Sequence, residues 1–459
     1  MASNSKSQLR ITDRISDLPD SLICHILSFL PTKNSVCTSI LASRWKRVWA
    51  SVTSLDFHEI YFPDSESFVL FVSRVFYFRN SSEIQKFKPE CYCVERFSHI
   101  DGWIRTAPMH NLAELDLCVE NYGSFLEDEN LKLPKSVFMC KTLVVLKLRS
   151  IIIINTPTSW CLPCLKVLLI SVSFPGHDLM EKLLLGCPAL EDLAISGTVG
   201  EGYLNFNVSA LELKKLGISL DTENDDRCLA DYNDLNVLVR APKLEYFGLE
   251  QNVLSNCVLK NLKSLVEATI DLTYHVPTEY SGFVGRATAL LAQICHVKYL
   301  SLSAHGLDVS IPLLVSCFLL NCELPVFGNL KQLRLVLHRC CSWWAEFLMS
   351  SPILEFLVLE HDCNCDGLGE YGIKEKELLW HPPELVPNCL LSHVKTICIN
   401  RFLGKDDEFE VAKYLLKNGE VLNSMKICTG RNIVCTKEVM LEKLLMFERV
   451  SKTCQVEIA

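Results

Sequence analysis

Nine times between residues 112 and 359 the chain repeats one six-residue pattern, L-x-x-L-x-L with aliphatic or aromatic replacements. The copies are LAELDL at Leu112, LVVLKL at Leu143, LKVLLI at Leu165, LEDLAI at Leu190, LKKLGI at Leu213, LEYFGL at Leu244, VKYLSL at Val297, LKQLRL at Leu330 and LEFLVL at Leu354. In an extended chain side chains alternate between faces, so the last two apolar residues of each copy share one face and the residue between them points away; the first enters from the preceding turn. A single unit cannot cover its own leucines, whereas a parallel stack of strands buries them in one continuous core. The pattern therefore demands an array, with function on the loops and on outward positions such as Glu114, Lys147, Asp192 and Tyr246.

From Leu112 to Leu244 successive copies are 31, 22, 25, 23 and 31 residues apart, around the period of about 20 to 29 residues of leucine-rich repeats. Between strands the chain must return. DLMEKLLLGCPALEDL, WWAEFLMSSPILEFL and VLVRAPKLEYF read as helical returns with a stop: Gly186 suits the left-handed position after a helix, and Pro188, Pro242 and Pro352 end the helix and extend the residue before them. This junction resembles that of the irregular leucine-rich repeats of plant F-box proteins, in which a small residue, Pro and L-E recur. The inward Asn that follows the strand in regular repeats falls here at Glu120, Ile151, Ser173, Thr198, Asp221, Asn252, His305, His338 and Asp362. Only Asn252 matches, so uniform curvature is not expected.

Composition removes several function classes. With 459 residues, 49% hydrophobic and 22% charged, the chain is a folded one with room for more than one domain. The net charge of −9 is spread out and no long basic run appears, which argues against nucleic acid or an anionic membrane as partner. The opening MASNSKSQLRITDR has no apolar core of a secretory signal. The longest uncharged apolar run, Val309 to Cys322, contains Pro312 and is shorter than the roughly 20 residues of a spanning helix. The 23 cysteines are scattered and odd in number, and Cys118, Cys187 and Cys398 sit where a small apolar residue would serve. Reduced thiols in cytoplasm or nucleus are the expectation. Cys340, Cys341, His361, Cys363 and Cys365 have zinc-binding residue types, but Cys363-x-Cys365 is too close for a ligand pair and no second pair matches it, so neither metal nor cofactor is expected.

Ahead of the repeats stands DLPDSLICHILSFLPTKNSVCTSILASRWKRVW, residues 17–49. Ser16 or Asp17 can cap a helix with Pro19 in its first turn, Leu22, Ile23, Ile26, Leu27 and Leu30 form an apolar stripe, and Pro31 ends it. A second helix from about Asn34 carries Val36, Ile40, Leu41, Trp45 and Trp49. So short a segment cannot cover that much apolar surface by itself. Spacing alone leaves two options: a cap packed on the array, or a dock for another protein. The stretch resembles the plant F-box, matched in order by Leu18, Pro19, Asp20, Ile26, Leu27, Ser28, Phe29, Leu30, Pro31, Thr38, Ser39, Leu41, Arg44, Trp45 and Trp49. The resemblance implies docking on the SKP-type adaptor that ties F-box proteins to cullin and RING subunits. By position it implies a contact of Leu18, Pro19, Leu22, Ile26, Leu30, Pro31, Ile40, Leu41 and Trp45, with Trp45 as an aromatic anchor whose loss costs about 2 kcal/mol or more in binding. Ser43 departs from the Lys frequent before R-W in that family, which removes a rim charge and leaves the apolar contact intact.

After Cys365 the glycines and Pro382, Pro383 and Pro387 mark a junction. VKTICIN and NSMKIC then read as strands, and DDEFEVAKYLLKNGEVL and EVMLEKLLMFERV as helices. This region resembles the FBD domain found after F-box and repeat arrays; alternating strands and helices suit continuation and capping of the stack better than a separate recognition module. The expected fold is α/β: an N-terminal helical F-box, an irregular leucine-rich-repeat solenoid with parallel strands, and a C-terminal α/β FBD cap. Its divisions are a free N-terminus (1–9), F-box (10–55), linker and start of the solenoid (56–105), repeats (106–362), connecting loop (363–383) and FBD domain (384–459).

No nucleophile stands at readable spacing from a base, and neither G-x-G-x-x-G nor a P-loop occurs, so no catalytic residue is assigned. The resemblance implies a non-catalytic substrate-recognition subunit of an SCF-type ubiquitin ligase, with a protein target on the repeats. The alternative is a repeat scaffold or regulatory binder acting outside a ligase.

Overall fold

A leucine motif begins with a backbone turn closed on its first apolar residue. The amide of Leu165 donates to Leu162 (3.1 Å), Leu244 to Ala241 (3.1 Å), Val297 to Ile294 (3.1 Å) and Leu330 to Phe327 (3.2 Å). Pro242 takes the second place of one such turn, where its fixed φ is preorganised. The strand starts at the third residue of the motif, and in LKQLRL the inward Leu330, Leu333 and Leu335 are all fully buried.

The computed structural model describes residues 15, 17–79, 83–92, 97–119, 133–149, 161–173, 179–199, 205–222, 236–251, 255–274, 280–306, 324–337, 344–361, 382–431 and 433–459. The chain divides into two compact units, 1–172 with 185–189, and 173–184 with 190–459.

The first unit opens with helices α1 (Asp20–Leu27), α2 (Thr32–Cys37) and α3 (Trp45–Val48). Strands β1 (Ser54–His58), β2 (Lys86–Cys91), β3 (Glu114–Val119), β4 (Val145–Arg149) and β5 (Val167–Ser173) follow and pair in parallel in that order. The return from β1 to β2 is helix α4 (Ser65–Phe78), capped by Asp64, which accepts from the Ser67 amide at 2.7 Å. Val52-Leu55-Phe57 and Ile84-Phe87 place the same apolar steps into β1 and β2 that the leucines place later, so the stack starts well before Leu112.

In the second unit, strands β6 (Asp192–Val199), β7 (Asn205–Ser209), β8 (Lys215–Thr222), β9 (Asn236–Arg240), β10 (Tyr246–Gln251), β11 (Asn256–Lys260) and β12 (Glu267–Tyr274) come first. They continue with β13 (Tyr299–Gly306), β14 (Gln332–Leu337), β15 (Phe356–His361), β16 (Thr396–Phe402), β17 (Ser424–Thr429) and β18 (Gln455–Ile458). The main sheet runs in parallel β6-β8-β10-β12-β13-β14-β15-β16-β17-β18. β12 comes from LVEATI at Leu265, a further copy hidden because Ala268 replaces the second leucine. The strands and helices expected in the FBD region extend this sheet: β16 pairs with β15, and the helix Asp406–Asn418 buries Phe409, Ala412, Leu415 and Leu416 against it. β18 is the outermost strand of the series.

Two expectations about the returns need correcting. VLVRAPKLEYF returns as strand β9, not as a helix; N-V-L-V-R alternates with period two and buries Val237 and Val239 on one side. β7, β9 and β11 form a second, separate parallel sheet in the order β7-β9-β11. Asn205, Asn236 and Asn256 stand in register there, the Asn256 side-chain amide donating to Asn236 and that of Asn236 to Asn205, each at 3.1 Å. Gly186 is not left-handed: among the described residues only Gly197 and Gly404 are positive-φ glycines. Its carbonyl instead accepts from the Leu162 amide at 3.0 Å, so the neighbouring turn caps that helix end. The left-handed cap occurs earlier, where Asn111 (φ 61°) ends the turn before LAELDL. Of the nine inward-Asn positions, Glu120, Ile151, Asn252, His338 and Asp362 lie outside the described residues, as do residues 1–9 and most of 363–383.

The second sheet ends where helices resume. From the helix Tyr280–Ile294, Gln293 accepts from the Leu259 amide at 2.7 Å and donates to the Cys257 carbonyl at 3.0 Å, giving β11 the partners another strand would give it. Gln293→Ala is expected to lower the local opening energy by about 1–3 kcal/mol, seen as Leu259 amide exchange at least about fivefold faster; unchanged exchange would show that water serves the edge equally well.

Candidate functional site

Helix α1 is apolar on two sides. Ile23 and Leu27, one turn apart, are fully buried, and Trp45, Val48 and Val52 join them in a small core flanked by Leu18, Cys24, Ala42 and Trp49. Leu22, Ile26, Phe29 and Leu30 point elsewhere and are exposed, Phe29 at 75%. One stripe serves the segment's own fold; the other is left over, and contiguous exposed apolar surface of this kind marks interaction sites.

The helix start differs from expectation. Pro19 holds the N-cap position with no side-chain cap, and the amides of Leu22 and Ile23 donate to its carbonyl at 3.0 and 3.1 Å. Ser16 lies outside the described residues. The second helix is broken: α2 passes into a 3₁₀ turn at Thr38–Ile40, and helix resumes only at Trp45. The Thr38 hydroxyl donates to the Ser35 carbonyl at 2.6 Å and the Ser35 hydroxyl to the Leu27 carbonyl at 2.9 Å, so side chains take up backbone groups around the break.

That break decides which residues face solvent. On one continuous helix Leu41 and Trp45 would share a face. In the structure Ile40 (85% exposed) and Leu41 stay outside, whereas Trp45 turns inward and is 5% exposed. Trp45 is therefore corrected from surface anchor to core residue. Its neighbour Arg44 stays out and donates to Asp20 at 2.9 and 2.6 Å and to the Leu18 carbonyl at 2.6 Å. Both ends of this ion pair are solvated, so it is worth about 0–1 kcal/mol and acts mainly as a positional tie between the start of α1 and the broken segment. Of the other expected contact residues, Pro19, Leu22, Ile26 and Leu30 are exposed and Leu18 and Pro31 half-buried. Sequence reasoning left out Phe29 and Ile15, both exposed; Phe29, three residues after Ile26, continues the helical spacing.

The segment is anchored within its unit by polar contacts. The Asp56 amide of β1 donates to the Thr32 hydroxyl at 2.8 Å, the Lys33 ammonium donates to the Tyr61 carbonyl and lies 4.4 Å from the Phe62 ring centroid, and Arg79 donates to the Val52 carbonyl at 2.5 Å. Burial lowers the Arg79 pKa to about 10.

Comparison with known proteins divides the chain in the same order. Residues 15–56 match the F-box domain, 100–273 match the LRR repeats of the FBD-associated F-box protein At5g56370, and 381–427 match FBD. Over 96% of its length the chain is 30% identical to 99% of the putative FBD-associated F-box protein At5g53635 of Arabidopsis thaliana. It is also 30% identical, over 98% of its length, to 97% of the F-box/FBD/LRR-repeat protein At1g78750 of the same plant. The chain belongs to the F-box/FBD/LRR-repeat family. Its F-box is the broken helical segment with the spare apolar stripe, and its LRR and FBD regions are the parallel strands.

The outward face of the LRR strands is the other candidate surface. In the first unit several of its charges are paired: Asp116 is buried and accepts from Arg149 at 2.7 and 2.9 Å, and Lys86 meets Glu114 at 2.8 Å. In the second unit Glu360 holds Arg334 at 2.7 Å and Arg401 at 3.3 Å. Burial raises the thiol pKa values of Cys187 and Cys257 to about 12, which suits packing and not nucleophilic chemistry. Of the cysteine and histidine group weighed as zinc ligands, His361 ends β15; Cys340, Cys341, Cys363 and Cys365 lie outside the described residues.

The two sides of the F-box give opposite expectations. Trp45→Ala should destabilise the F-box by about 3–5 kcal/mol, whereas Ile40→Ala should change stability by less than about 0.5 kcal/mol. Hydrogen exchange of the α1 amides measures both, and equal effects would contradict the division into core and spare stripe.

Proposed function

We propose that the chain is the non-catalytic substrate-recognition subunit of an SCF-type cullin-RING E3 ubiquitin ligase. The F-box docks on the SKP-type adaptor through Pro19, Leu22, Ile26, Leu30, Ile40 and Leu41, with Leu18 and Pro31 at the margin, and the repeats hold a protein target. The observation that carries this reading is the spare apolar stripe of α1, exposed beside Ile40 and Leu41 in a segment that matches the F-box domain. A partner helix laid against that stripe removes apolar area from water at about 25 cal/mol per Å².

The mechanism is proximity. An adaptor held at one end and a target held on the repeats bring a target lysine near a charged conjugating enzyme, which raises the effective concentration of the reacting groups. No residue of this chain then has to move a proton.

Co-purification tests the reading. Intact chain should bring down the adaptor and cullin, and the double substitution Ile26→Asp with Leu41→Asp should reduce capture at least about tenfold, while Leu211→Asp, at an exposed leucine far along the sequence, should not. If intact chain fails to capture the adaptor, or the double substitution captures as much, the ligase reading is wrong.

A further inference from the structure

Three outward side chains of the second unit stand in one register row. Tyr246 of β10 pairs with Glu267 of β12, and Glu267 with Tyr299 of β13. Neighbouring strands are about 4.8 Å apart, so the two tyrosines flank the carboxylate with backbones about 10 Å apart. The next outward row, Gly248, Thr269 and Ser301, is small and sets a low floor beside them. Tyr246 uses that floor: its ring lies back over Gly248, where a Cβ would stand 3.0 Å from the Tyr246 hydroxyl oxygen and 3.2 Å from Cε1. Tyr299 is 41% exposed, and Glu267 is exposed.

The charge of Glu267 is what sets this row apart. Asp116, Glu355 and Glu360 each hold a basic side chain of the fold, but among the described residues none pairs with the Glu267 carboxylate. Two outward rows further on along β10, Glu250 is exposed and adds to the negative potential. Lys215 lies on the far side of Tyr246 and has Asp192 as its other register neighbour; Gln332 beyond Tyr299 is neutral, and Arg334 in the next row, which reaches the Ser301 hydroxyl at 3.4 Å, is held by Glu360 at 2.7 Å. A cation midway between the tyrosines falls within the roughly 6 Å at which an aromatic face attracts it, and meets the carboxylate as well.

We propose that Tyr246, Glu267 and Tyr299 form a receiving site for an arginine side chain of a bound protein. A guanidinium suits the row better than an ammonium: its plane lies against aromatic rings and its fork pairs with both carboxylate oxygens. The site deepens the target-holding role proposed for the repeats and rests on that reading for its biological partner, but its chemistry is independent of ligase assembly.

The test uses full-length protein carrying 3-fluorotyrosine, with Tyr246→Phe and Tyr299→Phe identifying the two fluorine resonances. The probes are Nα-acetyl-arginine methylamide and the neutral isostere Nα-acetyl-citrulline methylamide. Arginine should move both resonances, with citrulline at least about tenfold weaker. Glu267→Gln should weaken arginine at least several-fold, toward the level of citrulline, and Gly248→Ala, which lifts the Tyr246 ring, should weaken it without changing adaptor capture. Resonances that stay still with arginine, or that move equally with both probes, would overturn the site. If arginine binds but the intact chain captures no adaptor, the ligase reading falls and the site stands; if the adaptor is captured and arginine does not bind, the reverse holds.

Discussion

The structure depends on one arrangement: apolar side chains on alternate residues of parallel strands, each buried only because another strand lies beside it. Leu333 of β14 sits between Leu300 and Leu357 in register, and Leu335 between Leu302 and Leu359. No copy of the motif is stable alone, so the array acts cooperatively and its outward residues become a rigid surface. That rigidity places Tyr246, Glu267 and Tyr299 at fixed spacing although they lie tens of residues apart in the chain.

The F-box obeys a different rule. It is a small helical body whose first helix has more apolar surface than its own core can use. Packing consumes Ile23, Leu27 and Trp45; what remains is the outer stripe. The R-W pair at its end serves both purposes, since Arg44 ties the outer surface to Asp20 while the adjacent indole fills the interior.

Much of this was legible in the sequence, and the failures have physical reasons. The leucine motif specified β3 to β5, β6, β8, β10 and β13 to β15, because strand periodicity and burial give the same instruction there. It was blind to β12, where Ala268 is small enough to break the pattern yet still buried, and this concealed Glu267 as an outward residue. It mistook β9 for a helix because a short apolar run does not distinguish the two, and only the neighbouring Asn rungs reveal a sheet. Trp45 was misplaced because spacing assumes an unbroken helix. Side-chain hydroxyls at Ser35 and Thr38 redirect the chain, a local competition that periodicity does not register.

Gln293 has a consequence for how such an array can change length. A single amide serving as the last rung makes the second sheet indifferent to how many rungs precede it, so whole strand-return units added or deleted upstream of Asn256 leave the closing contact as it is. Downstream the tolerance ends, because any insertion between β11 and the helix that carries Gln293 must reproduce both backbone partners at once. Growth in this region is therefore permitted in one direction along the chain and resisted in the other.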